Sequence, residues 1–202
     1  MAEFNAAFQE TMGDEGGYAN NPADAGGETY KGIARKFWGA WQGWRIVDQV
    51  KKGMTAQPQY DTGSYQNWVK ELNRQLAANR MLQGFVLDFF KANFWDKNLL
   101  GGINNQTVAT WLFNHAVNGG ARGIQWMQAA AGVICDGAMG PKTVAAINAA
   151  DASALLDKAM DNAVAYRLAD VKAHPDQKQF LCSWLHRDGV SADKIKAIME
   201  TV

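Results

Sequence analysis

Apolar positions recur along most of this chain at helical spacing. Phe4, Phe8 and Met12 place one apolar face on a first helix, and Gly13 suits its C-terminal cap. The pattern then breaks. From Asp14 to Gly32 the chain is rich in Gly, Asn, Asp and Pro and reads as a long loop, and Thr29, near its end, could cap a second helix through Ile33 and Phe37. Residues 40–63 hold three glycines and Pro58 and are open to a short hairpin or a lid. Ser64 then stands as an N-cap before Trp68, Leu72, Leu76, Leu82, Phe85, Phe89 and Phe90, which predict two helices or one kinked helix reaching about Trp95.

Leu99-Leu100-Gly101-Gly102 interrupts the periodicity and is the strongest candidate boundary, dividing the chain into parts 1–98 and 99–202. Beyond it, Asn105 can cap a helix carrying Val108, Leu112 and Val117, and Gly119-Gly120 ends that helix. Ile124, Met127 and Ala131 mark the next helix. Asp136 to Gly140 reads as a turn, and Pro141 sits where a helix starts. A long helix over 151–173 stops before Pro175, and segments 180–186 and 191–199 complete the chain. Strand patterns are few, so the expected class is predominantly α.

Composition narrows the function classes. Of 202 residues, 48% are hydrophobic and 20% charged, which argues against a disordered chain. Basic and acidic residues number 20 each, so no global positive field favours nucleic acid. The first fifty residues hold four basic and seven acidic side chains, which leaves a mildly basic remainder. No apolar run approaches the ~20 residues of a membrane span, and Met1–Met12 lacks a signal-peptide pattern. Three histidines without a His-Glu-x-x-His pair, two cysteines without Cys-x-x-Cys, and no Gly-x-Ser-x-Gly elbow leave no zinc or serine centre to propose. His115, on an apolar helix, reads as a core histidine, His186-Arg187-Asp188 as surface, and Cys135 and Cys182 as buried thiols.

The chemistry-bearing stretch is Asp14-Glu15-Gly16-Gly17-Tyr18, followed by Asp24-Ala25-Gly26-Gly27-Glu28-Thr29-Tyr30-Lys31-Gly32-Ile33. A carboxyl just past a helix C-terminus meets the negative end of the dipole, and partial burial would also favour its protonated form. Both effects suit Glu15 to donate a proton near neutral pH. Gly16-Gly17 leaves room for a bulky substrate beside it. Asp24 offers a second carboxylate, and Thr29 could hold a water, which together meet the needs of glycoside hydrolysis. A helix end and a turn would produce the same letters with no chemistry. Glu28 reads as solvent-facing.

Glu15-Gly16-Gly17-Tyr18 and the later Asp24-x-Gly-Gly-x-Thr29-x-x-Gly32-Ile33 resemble the signature of glycoside hydrolase family 108, the lysozyme-like N-acetylmuramidases of phages, prophages and bacteria, some labelled secretion activators. The resemblance covers about residues 8–180 and implies that Glu15 is the catalytic glutamate. The Asp-to-Thr gap is one residue shorter than in phage lysozymes, which leaves the roles of Asp24 and Thr29 open. Asn118-Gly119-Gly120 followed by Asp136-Gly137-x-x-Gly140-x-x-Thr143 resembles the predicted peptidoglycan-binding domain of that family. Relatives often carry an acid near Asn114, and the amide here weakens the case for a catalytic group at that site.

The resemblance implies a lysozyme-like helical architecture with two closely packed parts. It also implies cleavage of the β-1,4 bond between N-acetylmuramic acid and N-acetylglucosamine, with no cofactor and no metal. Tyr18, Tyr30, Trp38, Trp41, Trp44 and Asn118 are the candidate substrate contacts. The expected partner is the peptidoglycan glycan strand, met by a monomer made in the cytoplasm and released to the wall through a holin or another export route. Two rival readings remain open: a non-catalytic wall-binding or secretion-associated protein, and a lytic transglycosylase.

Overall fold

The computed structural model describes residues 1–12, 16–22 and 26–202. It has a predominantly α, lysozyme-like fold. Contacts divide the chain into two compact units, one of Met12–Lys91 and the other of Met1–Thr11 with Ala92–Val202.

In the first unit the segment expected to be a loop and then a capped helix forms a small antiparallel sheet. Its strands are β1 (Tyr18–Asn20), β2 (Glu28–Tyr30) and β3 (Ile33–Ala34). Tyr18 pairs with Tyr30, Ala19 with Thr29, Asn20 with Glu28, and Tyr30 with Ile33. Thr29 is therefore a mid-strand residue and caps no helix. Lys31 (φ 46°) and Gly32 (φ 76°) both take positive φ, as a tight two-residue hairpin requires when its strands twist to the right. That turn fixes the register and ends the chance of helix through Ile33.

Helix α1 (Phe4–Met12) precedes the sheet. Three helices follow it: α2 (Gly43–Gly53), α3 (Gly63–Ala78) and α4 (Arg80–Phe90). The region left open at 40–63 thus contains a helix. The cap of α3 is Thr62, whose Oγ1 accepts from the Tyr65 N–H at 3.1 Å, and not Ser64. Asn79 ends α3 in extended backbone and caps α4 through the Leu82 N–H at 3.0 Å, so two helices form and not one. Leu72, Leu76 and Leu82 are fully buried at this junction, as their spacing predicts.

In the second unit the N-terminal helix packs by its apolar face. The Phe4 ring lies 5.7 Å from Trp95 and 5.8 Å from Phe113, both edge-on. A π-helical turn (Lys91–Asp96) and a short 3-10 turn (Leu100–Gly102) lead into α5 (Gln106–Gly119), which Asn105 caps through the Val108 N–H at 3.0 Å. Then come α6 (Ala121–Ala130), α7 (Pro141–Ala149, with Pro141 in the first turn), α8 (Ala152–Ala173), α9 (Lys178–Arg187) and α10 (Ala192–Thr201). Asp151 and Ser191 cap α8 and α10 through their side chains. Val164, Val171, Leu181, Leu185, Val190 and Ile195 close the core among α8, α9 and α10.

The Asp136–Gly137 turn has a visible purpose. Asp136 Oδ1 accepts from the Ala138 N–H and from Gln128 Nε2, and Gln128 Oε1 accepts from the Gly137 N–H. The motif pins the turn to α6. Cys182 packs against the core, but Cys135, beside this turn, is exposed and not a buried thiol.

Candidate active site

The catalytic candidates Glu15 and Asp24 lie outside the described residues. Thr29 is half-buried in the middle of β2. What the structure does describe is the frame that holds the chain on either side of them.

Tyr18 is the first element of that frame. Its backbone N–H donates to Asn73 Oδ1 at 2.6 Å, across 55 residues of sequence. The same carboxamide occupies the space where a Cβ on Gly17 would stand. Gly17 is thus required for close approach of α3 and not, as expected, to leave room for a substrate; Gly16 has open space around it. Asn73 was invisible to sequence reading because it lies on the polar side of a helix with no motif around it.

The Tyr18 side chain is buried and its hydroxyl donates to Glu28 Oε1 at 2.8 Å. Lys51 Nζ donates to both, at 3.0 Å to the Tyr18 hydroxyl and 2.7 Å to Glu28 Oε1. Arg35 Nε lies 2.6 Å from Glu28 Oε2 as a charge contact without hydrogen-bond alignment, while its terminal nitrogens donate to Asp48 at 3.0 and 2.6 Å. Glu28 is therefore a largely buried, doubly paired carboxylate and not a solvent-facing one; the hairpin turns it inward toward α2. Burial, followed by the hydrogen bond to Glu28 and its negative charge, pushes the Tyr18 phenol well above its ordinary value, so it remains a donor. The Arg35 hydrogen bond holds the Asp48 carboxyl below the usual range.

The aromatic candidates divide by exposure. Tyr30 is 1% exposed, accepts from Gln83 Nε2 at 3.0 Å, and stacks at 6.5 Å on Trp41. Trp44 is buried, its indole N–H donating to the Trp38 carbonyl at 3.0 Å, with the Arg35 guanidinium 4.3 Å from its ring centre. Trp41 is half-buried and donates to the Phe85 carbonyl at 3.3 Å. Trp38 is 40% exposed and rests edge-on against Phe89 at 4.8 Å, beside Phe37 at 70%. Of this cluster, Trp38 and Phe37 present the most apolar ring surface. Asn118, at the end of α5 in the other unit, is exposed and donates to Asn114.

The sequence model of the glycosyl hydrolase 108 family matches residues 8–120, which is more than half of the chain and includes Glu15 and every residue of the frame. The chain belongs to the glycosyl hydrolase 108 family. A model of a predicted peptidoglycan domain matches residues 122–189, so the second half of this glycosyl hydrolase 108 chain is of that kind. No curated protein matches. Among solved structures, the SagA protein of Brucella abortus is similar over 98% of this chain and 94% of its own, with 23% identity and a TM-score of 0.59. At that identity the likeness extends the fold assignment alone. A glycosidase family joined to a peptidoglycan domain makes this a glycoside hydrolase with a peptidoglycan-related function.

Within the family's span, sequence reading singled out the segments whose described parts are Gly16–Tyr18 and Gly26–Ile33. It missed Asn73, Lys51, Arg35, Asp48 and Gln83, which hold those segments from helices α2, α3 and α4 and from the β3 hairpin. Only the Tyr30-Lys31-Gly32-Ile33 hairpin carried a signal that could have been read: two β-forming residues around an x-Gly pair.

Proposed function

We propose that this protein hydrolyses the β-1,4 bond between N-acetylmuramic acid and N-acetylglucosamine in peptidoglycan, with Glu15 as the general acid. The observation that carries the reading is the family match across residues 8–120, which spans Glu15, joined to a peptidoglycan domain at 122–189. Glycosidic cleavage requires an acid that protonates the leaving oxygen and a group that stabilises the developing positive charge or orients water. Glu15 takes the first role. Asp24 and Thr29 share the second, Asp24 as the charged partner and Thr29 as a hydroxyl that orients water from mid-strand.

The frame around this segment supports the assignment. Catalytic groups work only when held close to a productive geometry. Gly17 and Tyr18, two and three residues after Glu15, are tied to Asn73 and to the Glu28–Lys51–Arg35 cluster. Glu28, with two cationic partners, serves as a structural anchor and is assigned no proton transfer. Tyr18 and Tyr30 act from the core as positioning residues, and Trp38, backed by Phe89, offers ring surface to the sugar faces together with Trp41. A phage or prophage lysin acting as a monomer on the wall is the setting this reading proposes.

The test is digestion of purified sacculi followed by product analysis. Wild-type protein is expected to release muramic acid reducing ends, and Glu15→Gln to release none while keeping its circular dichroism and melting temperature. Anhydro-muramyl products would assign a lytic transglycosylase instead. Undiminished release by Glu15→Gln would remove the mechanism.

A further inference from the structure

The second unit contains a cavity of about 190 Å³ between the end of α5, at the close of the glycosyl hydrolase 108 match, and α6, α8 and α9 of the peptidoglycan domain; the catalytic assignment above does not use it. Its wall is unusual in charge. Arg122, Arg167 and Arg187 line it, against a single lining carboxylate, Asp170.

The three guanidinium groups are not equivalent. Arg167 is anchored from below: its Nε and one terminal nitrogen donate to Asp188 at 3.0 and 3.2 Å, and its plane lies 5.3 Å from the Trp126 ring centre and 5.0 Å from that of Trp184. Arg122 stacks 4.0 Å from the Tyr166 ring centre and has no carboxylate partner among the described residues. Arg187 is exposed at the rim and likewise has no ion pair among the described residues. Stacking on an aromatic face orients a guanidinium while leaving its in-plane N–H groups free to bind.

The charge balance selects the ligand class. Asp188 offsets Arg167 and Asp170 offsets one further cation, which leaves a surplus of one positive charge. A single carboxylate matches that surplus and the fork geometry of a guanidinium. A phosphate dianion would overcharge the cavity and face Asp170. The Trp126 and Trp184 walls suit small apolar side chains beside the carboxylate, and the Asn118 amide on the lining suits a peptide bond. Within peptidoglycan it is the short peptide stem, and not the N-acetylated sugars, that combines a free carboxylate, methyl groups and amide bonds.

We propose that this cavity binds the carboxylate-bearing peptide stem of peptidoglycan, with Arg122 receiving the carboxylate and Arg167 fixed as the inner wall. The inference rests on peptidoglycan being the target of the protein, and it adds a second recognition point on a different chemical part of that polymer.

The experiment titrates the full chain with a synthetic stem peptide, N-acetyl-L-Ala-D-isoglutaminyl-L-Lys-D-Ala-D-Ala, whose one carboxylate is at the C-terminus, by calorimetry and by amide NMR. Wild-type protein is expected to bind it, with shifts at Trp126 and Trp184. The C-terminal amide of the peptide and the Arg122→Gln variant are each expected to bind at least about tenfold more weakly, and Arg122→Lys to recover only part of the loss. Arg122 is exposed, so its replacement leaves the fold intact. Equal affinity for the acid and the amide, unchanged binding by Arg122→Gln, or a preference for a glycerol-phosphate oligomer would each overturn the proposal. Failure is separable from failure of the glycosidase reading: absent peptide binding with intact digestion of sacculi overturns this inference alone, and absent digestion with intact peptide binding overturns only the glycosidase.

Discussion

Replacing Asp188 by Ala is expected to be the most damaging single change to a charged residue in the peptidoglycan domain. Its side chain is fully buried and accepts three hydrogen bonds, from His115 Nε2 at 3.1 Å and from Arg167 at 3.0 and 3.2 Å. The His115 ring is 3% exposed and its other nitrogen faces the Trp111 carbonyl at 2.8 Å. Truncation leaves the buried His115 ring without its acceptor and a largely buried guanidinium without its counter-charge. Breaking a buried pair from one side costs about 3–5 kcal/mol. Against a total stability of about 5–15 kcal/mol this is a large fraction. For a chain of this size each kcal/mol moves the melting temperature by about 2–4 °C, so a fall of about 6–20 °C is expected.

The same group sets a pH dependence with a definite sign. Burial by itself would raise the Asp188 carboxyl, but the hydrogen bonds from His115 and Arg167 outweigh it and hold the group below the ordinary aspartate value of 3.8. A depressed acid contributes its full stability above the unfolded value and loses it as pH falls through the folded value. Wild-type protein should therefore weaken below about pH 4, and Asp188→Ala should lack that component of the decline. Urea unfolding followed by tryptophan fluorescence from about pH 2 to pH 7 measures both effects. A variant melting within about 2 °C of wild type, or a stability difference that does not shrink on acidification, would refute the reasoning.

Three further outcomes are expected. Gly17→Ala places a methyl group on the Asn73 carboxamide and should cost about 1–3 kcal/mol by urea unfolding, with part of the loss recovered in the Gly17→Ala/Asn73→Ala double variant. Glu28→Gln removes the charge facing Lys51 and Arg35; because those partners are partly exposed, a loss of about 1–2 kcal/mol is expected. Ultraviolet titration should then show the Tyr18 phenol moving down toward its ordinary value, and an unchanged profile would count against the network. Trp38→Ala loses the Phe89 ring contact and should lower the melting temperature by a few degrees while keeping the fold, and should raise KM on sacculi about three- to tenfold, the equivalent of one lost ring contact; unaltered KM would remove Trp38 from the substrate surface.

Much of the helical fold was legible because helices are local. Asn105, Asp151, Ser191 and Pro141 act within one turn of themselves, and their roles follow from the letters around them. The apolar rows through Leu72, Leu76 and Leu82 needed only the helical repeat. The sheet was not legible. Its strands are two or three residues long, too short for alternation to register, and Thr29 satisfies the rule for a helix cap equally well. Likewise the burial of Asp188, expected at the surface, depends on His115 and Arg167, which stand 73 and 21 residues away.

The acidic glycine segment, the family it marks and the helical frame were set by residue order alone, since each rests on neighbours within a few positions. Which carboxylates are paired, which rings are exposed and why Gly17 must lack a side chain were decided by tertiary packing. Glu28 meets Lys51, Tyr18 meets Asn73 and Arg167 meets Asp188 only when distant helices are brought together. Burial and charge pairing are properties of those meetings, and no local pattern encodes them.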